Sequence, residues 1–235
     1  SWLGVKPEIT DDMCVETVDC ELLVVGSGTA GHFAAMNTVR LGGAPLIIDK
    51  AEVGLGIRYQ MGAINTKIMQ SAGIEIDRNE ITRDFSRYSN CWNDPKLVHL
   101  WYDNSAEPFD FYDDLCREAG LRPHLMKFAT NEENALKGFV ECNEVLKDRD
   151  LDLDPAQVVE SYVEENGGTF RYNTSMVELI QDENGSVTGV YATNESGDYI
   201  RINAEKGVIM ATGGYAHNRE MMRALQPQAA KVYAG

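Results

Sequence analysis

Leu22-Leu-Val-Val-Gly-Ser-Gly-Thr-Ala-Gly31 decides the fold of this chain. Leu22–Val25 is an apolar run that reads as a strand. Gly26, Gly28 and Gly31 follow with the spacing G-x-G-x-x-G, and Thr29 to Leu41 continues as a helix-like run. A second apolar run, Pro45-Leu-Ile-Ile48, ends in Asp49. Strand, glycine turn, helix, strand, acid is the order of a dinucleotide-binding βαβ unit. Each part has a physical job. Gly26 permits the tight turn, Gly28 lets backbone approach a pyrophosphate, and Gly31 lets the helix pack closely on the strand. The helix N-terminus offers free N–H groups and the positive end of its dipole to phosphates. Asp49 is placed to accept hydrogen bonds from a ribose hydroxyl. A glycine-rich turn without a ligand does not call for an acid at that position.

Composition narrows the partners. The chain has 235 residues, with 43% hydrophobic and 25% charged residues, ordinary for a globular protein. Its formal net charge of −16 disfavours nucleic acid and anionic lipid. No apolar run approaches the roughly 18 residues of a membrane span, so no transmembrane segment is expected. Five cysteines occur without CxxC spacing, which speaks against a zinc or iron–sulfur site, so no metal is expected. Their odd number speaks against a full disulfide framework and leaves the compartment open. The chain starts at Ser1, and both a cytoplasmic location and export after signal removal are compatible with it.

Along the chain, residues 1–20 read as an acidic leader on the surface. Residues 50–73 are rich in glycine and read as backbone passing close to a ligand. Asp94-Pro95 opens a helix reaching Ser105, and Pro108 starts another that stops at Gly120. Trp101, Tyr102, Phe109, Phe111 and Tyr112 read as packing residues on these helices. Asp148-Arg-Asp-Leu-Asp-Leu-Asp154 resembles the start of a calcium loop, but Pro155 stands where glycine is needed and Ser161 where glutamate is needed. It reads instead as a solvated acidic run capping a helix that ends near Asn166-Gly-Gly168. From Thr169 the pattern becomes short β segments, 170–173, 175–181, 187–193 and 199–203, with turns at Asn184-Gly185 and Ser196-Gly197. Gly207–Ala211 reads as a buried strand, followed by Thr212-Gly-Gly214 and a short helix near His217, which would cap it. The other histidines, His32 and His99 among them, read as packing or surface residues, and Arg58 as a solvent-exposed arginine.

Three glycine-bearing segments, 26–31, 54–63 and 211–214, thus flank apolar strands. A parallel sheet brings such strand ends to one edge. A nicotinamide nucleotide needs only the first segment, so three suggest a longer ligand such as FAD.

Four stretches make the likeness specific: Val24-Val-Gly-Ser-Gly-Thr-Ala-Gly31, Ile47-Ile-Asp-Lys50, Met61-Gly-Ala-Ile-Asn65 and Val208-Ile-Met-Ala-Thr-Gly-Gly-Tyr215. In order and spacing the chain resembles the flavoprotein of the fumarate reductase and succinate dehydrogenase family, above all the soluble bacterial fumarate-reductase-like and urocanate-reductase-like members. The resemblance implies an α/β fold: a Rossmann-like FAD-binding domain with a parallel central sheet and an antiparallel β-meander insertion. That domain would span 21–235, in parts 21–124 and 155–235 joined by a divergent segment, 125–154. Carried over by position, Gly26, Gly28, Thr29, Ala30 and Gly31 would line the FAD pyrophosphate. Asp49 would hold the adenosine ribose, where the family usually has glutamate, and Lys50 would lie beside the adenine. Met61, Gly62 and Ala63 would pass along the flavin ring. Val177 would bond adenine through its backbone, and Ala211, Thr212 and Gly213 would close over the adenosine and pyrophosphate side.

Two departures follow. Membrane-bound members attach FAD through a histidine whose matching position here is Gly56, and no histidine lies between Ala34 and Val98. Attachment by that route is ruled out, and FAD is expected to be non-covalent. The family's cap domain, catalytic arginine and substrate-binding histidines come after the Ala-Thr-Gly-Gly motif. No catalytic residue is therefore expected within residues 1–235, and a cap polypeptide, in cis or in trans, is an expected partner. An electron donor protein or quinol is another. The resulting expectation is the FAD-binding part of an oxidoreductase that reduces activated C=C bonds of unsaturated carboxylic acids. The alternatives are a flavin-binding electron-transfer subunit without its own substrate site and an NAD-dependent dehydrogenase.

Overall fold

Strand β1 (Cys14–Cys20) precedes β2 (Leu22–Val25), so residues read as a surface leader already belong to a sheet. The computed structural model describes residues 4–54, 56–127 and 141–232. β1 pairs in parallel with a later strand, and Glu16, Thr17 and Asp19 stay exposed along it. Charged edge strands of this kind draw their pairing from backbone, and polar composition hides them from a sequence reading. The chain then forms helix α1 (Thr29–Arg40) and strand β3 (Pro45–Ile48), with the bounds that the motif implies.

The described residues group into two units, Ser1–Leu55 with Val163–Gly235, and Gly56–Tyr162. In the second unit come β4 (Gln60–Met61), α2 (Lys67–Ser71), α3 (Arg78–Tyr88), α4 (Pro95–Asn104), α5 (Ala106–Glu118), β5 (His124–Lys127) and β6 (Glu141–Glu144). The three strands form an antiparallel sheet in the order β4-β6-β5. Asp94 caps α4 by accepting from the Lys96 N–H at 2.9 Å, with Pro95 in the first turn, as its sequence indicates. Helix α3 is an addition to the sequence reading. Its signal is Asp77, which accepts from the N–H groups of Asn79 and Glu80 at 2.9 and 2.8 Å, with Glu80 following three residues later as in a capping box. Ile64, Met69, Ile76 and Ile81 form this unit's core, with Phe85, Trp101 and Tyr102 packed on it. Phe109 and Tyr112 are buried and Phe111 is half-buried. The acidic run turns through Asp148, whose carboxylate accepts from the N–H groups of Asp150 and Leu151. Of the divergent segment 125–154, residues 128–140 lie outside the described residues.

Helix α6 (Pro155–Glu165) carries the chain back to the first unit, its first turn bonded to Asp154 Oδ1 through the Ala156 N–H. There follow β7 (Thr169–Arg171), β8 (Ser175–Gln181), β9 (Val187–Thr193), β10 (Tyr199–Ala204) and β11 (Val208–Met210). Strands β11-β2-β3-β7 make a parallel sheet. Strands β10-β9-β8 make an antiparallel meander, to which β1 adds in parallel. Leu23, Val25, Leu46 and Ile48 from the parallel sheet meet Val190, Ala192, Ile200 and Ile202 from the meander in one core. Helix α1 packs on β2 and β3. Both faces of β2 and β3 are thus covered, which is why their sequences are apolar without alternation. Helices α7 (Arg219–Leu225) and α8 (Pro227–Val232) close the described chain.

Two details correct the sequence reading. β11 is not buried: Ile209 is 38% and Met210 48% exposed, because β11 is the outer strand of its sheet among the described residues. His217 does not cap α7; Asn218 does, accepting from the Met221 N–H at 3.0 Å.

Candidate functional site

The C-terminal ends of β2, β3 and β11 converge on the glycine turn. The Gly26 N–H donates to Ile48 O and the Ala211 N–H to Val25 O, each at 2.8 Å. Gly26 has φ +105°, a conformation that side chains oppose, and a Cβ there would lie 2.5 Å from Ala211 O. A Cβ on Gly31 would lie 1.8 Å from Gly26 O. These two glycines are spent inside the protein, one on the turn and one on seating α1 against it. Gly28 is different: its φ is −78° and a Cβ there would meet nothing within 4 Å. Open space beside a glycine at a helix N-terminus is room for a ligand at the backbone itself. No acidic residue occupies the first turn of α1.

A cleft of about 390 Å³ lies beside this turn. Gly26, Gly28, Asp49, Lys50, Ala211, Thr212 and Gly213 line it, together with Val25, Ile48, Met210 and the segment Thr174–Met176. Six of the positions read from sequence besides Lys50 are therefore brought to one cavity by three strand ends. Gly31 lies behind the turn rather than in the cleft, and Ala30 is exposed on the helix. Around β8, Thr174, Ser175 and Met176 line the cleft, while Val177 is an exposed residue beyond them. Met176, Met210 and Thr174 were missed by sequence reasoning, since nothing local marks them as lining the cleft. Met61, Gly62 and Ala63 lie in the second unit, at the end of β4 and in the coil after it.

Asp49 is 5% exposed, and its carboxylate is already engaged. Oδ2 accepts from the Ser27 N–H at 2.6 Å and the Ser27 hydroxyl at 2.9 Å, and Oδ1 accepts from the Ala51 N–H at 2.9 Å. The side chain is therefore a clasp between β3 and the glycine turn. Burial by itself raises the carboxyl's pKa, but the hydrogen bonds from Ser27 and Ala51 and the charge of Lys50 outweigh it and hold the group below its ordinary value. The sign of the pH effect follows. A carboxyl lowered in the folded state stabilises it above the ordinary value near 3.8, and that contribution is lost as pH falls through the folded value. Thermal unfolding at pH 7 and below pH 4 should show an acid loss that shrinks in Asp49→Asn. An equal acid loss in that variant would remove Asp49 from the acid sensitivity.

His32 is fully buried at the foot of the turn, with Nδ1 3.1 Å from Gly28 O and its ring 5.7 Å from that of Phe170. It packs, as read from sequence. His99 is half-buried and Arg58 is exposed. Among the described residues no group of three or more His, Cys, Asp or Glu side chains is placed to hold a metal ion. None of the described helices is long and apolar enough to cross a membrane.

A turn, a helix end and an acid clasp gathered at one edge of a parallel sheet define a dinucleotide-binding domain. The FAD binding domain family matches residues 21–234, and the chain belongs to that family. Its cofactor is FAD. A probable fumarate reductase, Ifc3, of Shewanella frigidimarina is 27% identical over 88% of this chain and 34% of its own length. A urocanate reductase of Eggerthella lenta is 25% identical over 90% of this chain and 34% of its own length. The chain thus spans about a third of these curated relatives. In fold it is similar to the open conformation of a flavocytochrome c3 fumarate reductase, with a TM-score of 0.73 and 24% identity over 98% of this chain and 40% of that one.

Proposed function

We propose that this chain is the flavin-holding part of an FAD-dependent reductase that acts on C=C bonds conjugated to a carboxylate. The observation that carries the reading is the convergence of three strand ends on one cleft beside Gly28, whose missing side chain leaves the backbone open. The Gly28 N–H and those of Thr29 and Ala30 at the start of α1 suit a pyrophosphate. Lys50, Met176, Met210 and the backbone of Ala211–Gly213 suit the adenosine, with Asp49 holding the turn and offering what acceptor capacity remains to the ribose. Met61, Gly62 and Ala63 are assigned to the flavin ring by resemblance. When bound, FAD supplies hydride transfer to the activated carbon. The chain's own residues bind and orient it. Electrons reach the site from a donor protein or quinol.

Two measurements test this. Acid precipitation of the purified chain should release FAD into the supernatant, since Gly56 stands where an attaching histidine would be. Recovery of FMN or NAD alone overturns the cofactor assignment, and a yellow pellet overturns the non-covalent one. The full-length gene product, loaded with FAD and supplied with reduced viologen, should turn over at least one of a panel of 2-enoic acids. Absence of turnover across the panel overturns the reductase assignment.

A further inference from the structure

The backbone assigned to the flavin ring is held in place by one buried side chain. Strand β4 is only two residues long, and in its pairing with β6 Gln60 faces Glu144 and Met61 faces Asn143. Beyond Met61 the ladder stops. Asn143, fully buried, continues it with its side chain. Its Nδ2 donates to Ala63 O at 2.9 Å and to Met61 O at 3.3 Å. Its Oδ1 accepts from the Thr66 hydroxyl at 2.7 Å. Thr66, also fully buried, caps α2 by accepting from the Met69 N–H. Two carbonyls and one hydroxyl specify which end of the amide is which, and all three bonds go to residues 61–66.

We propose that Asn143 is a positioning residue for FAD: by fixing the carbonyls of Met61 and Ala63 it sets the path of the backbone against which the flavin ring lies. The inference rests on the functional reading above, which assigns Met61–Ala63 to the ring. The physical argument has two parts. A trans peptide points its N–H opposite to its C=O. Turning Met61 O toward Asn143 therefore turns the Gly62 N–H away from it, and that donor is presented on the side opposite Asn143. The Ile64 N–H is taken separately by the Ser105 hydroxyl at 3.0 Å, so the segment is fixed on both sides of Ala63. Removing the Asn143 side-chain donors leaves Ala63 O without its partner and leaves Met61 O to the strand pairing with Asn143 alone, so the peptide after Ala63 is then free to turn.

Asn143→Asp tests this most sharply. It keeps the shape and the acceptor for Thr66 but faces both carbonyls with oxygen. In the chain loaded with FAD, the dissociation constant should rise at least about 10-fold, and the visible absorption bands should shift. In the FAD-free chain, amide exchange across 62–66 should accelerate by about 10-fold or more. Val159→Ala is the control: it opens a cavity under α6, destabilises the fold, and should leave affinity and bands unchanged. Thr66→Val serves if the Asp variant does not fold. It keeps both carbonyl bonds but frees the amide's other end, and should raise the dissociation constant by about 2- to 5-fold. A wild-type chain that binds no FAD overturns the functional reading and this inference together. A wild-type chain that binds FAD, with variants of unchanged affinity and spectrum, overturns the role of Asn143 alone.

Discussion

Gly31→Ala is expected to unfold the first unit at temperatures where the wild-type chain is native. The added Cβ would lie 1.8 Å from Gly26 O and 2.9 Å from Gly26 C, and both are backbone atoms of the turn. The turn cannot retreat, because the Cβ position of Gly26 is itself 2.5 Å from Ala211 O. Helix α1 must therefore lift from β2, which costs on the order of 3 kcal/mol or more. For a chain of this size each kcal/mol corresponds to about 2–4 °C in Tm, so a loss of about 6–12 °C is expected. Gly28→Ala is the informative companion. With φ −78° and no neighbour within 4 Å it should fold with wild-type stability, yet bind FAD at least about 10-fold more weakly. Thermal melts and FAD titrations of both variants check this. Equal Tm values for Gly31→Ala and wild type would mean that the seating of α1 is looser than the structure indicates.

Asp49→Ala is expected to lose stability and cofactor together. It removes the acceptor of three hydrogen bonds, and the two donors on Ser27 are fully buried. Hydrogen bonds to a charged group contribute about 1.5–3 kcal/mol each, and since these three share one carboxylate they will not simply add. A loss of about 3 kcal/mol in unfolding free energy is the expected scale. FAD affinity should fall roughly 10- to 150-fold, because an unclasped turn no longer presents its N–H groups in one arrangement. Denaturant unfolding and dilution of the FAD-loaded chain separate two roles. Loss of affinity at unchanged stability would place Asp49 on the ligand alone. Unchanged retention of FAD would remove it from the site altogether.

Much of this arrangement is legible in sequence because it is local. The bounds of β2, α1, β3, β8 and β9 follow from apolar runs punctuated by glycine, and those punctuation residues act through φ angles that no distant contact can supply. The hidden elements are those that depend on partners. β1 is polar and takes its structure from the distant β10, with Cys14 paired to Tyr199 and Cys20 to Ala204. β11 has the composition of a core strand but lies at a sheet edge. Asn143 falls in a stretch with little resemblance to the family, and an isolated asparagine carries no signal of what its amide will hold.

By itself, then, the sequence determined the βαβ unit, its glycine turn and the meander, and through them a dinucleotide-binding protein, with FAD implied by the further glycine segments and the family resemblance. Those features depend on steric rules and periodicities acting within a few residues. Only the tertiary structure decided how the functional groups are spent. It showed that Asp49 clasps Ser27, that Met176 and Met210 line the cleft, and that Asn143 holds the backbone of Met61 and Ala63. The bonds of Asp49 and Asn143 join residues from different elements of the chain, and hydrogen-bond capacity becomes assigned only when burial removes water as the competing partner.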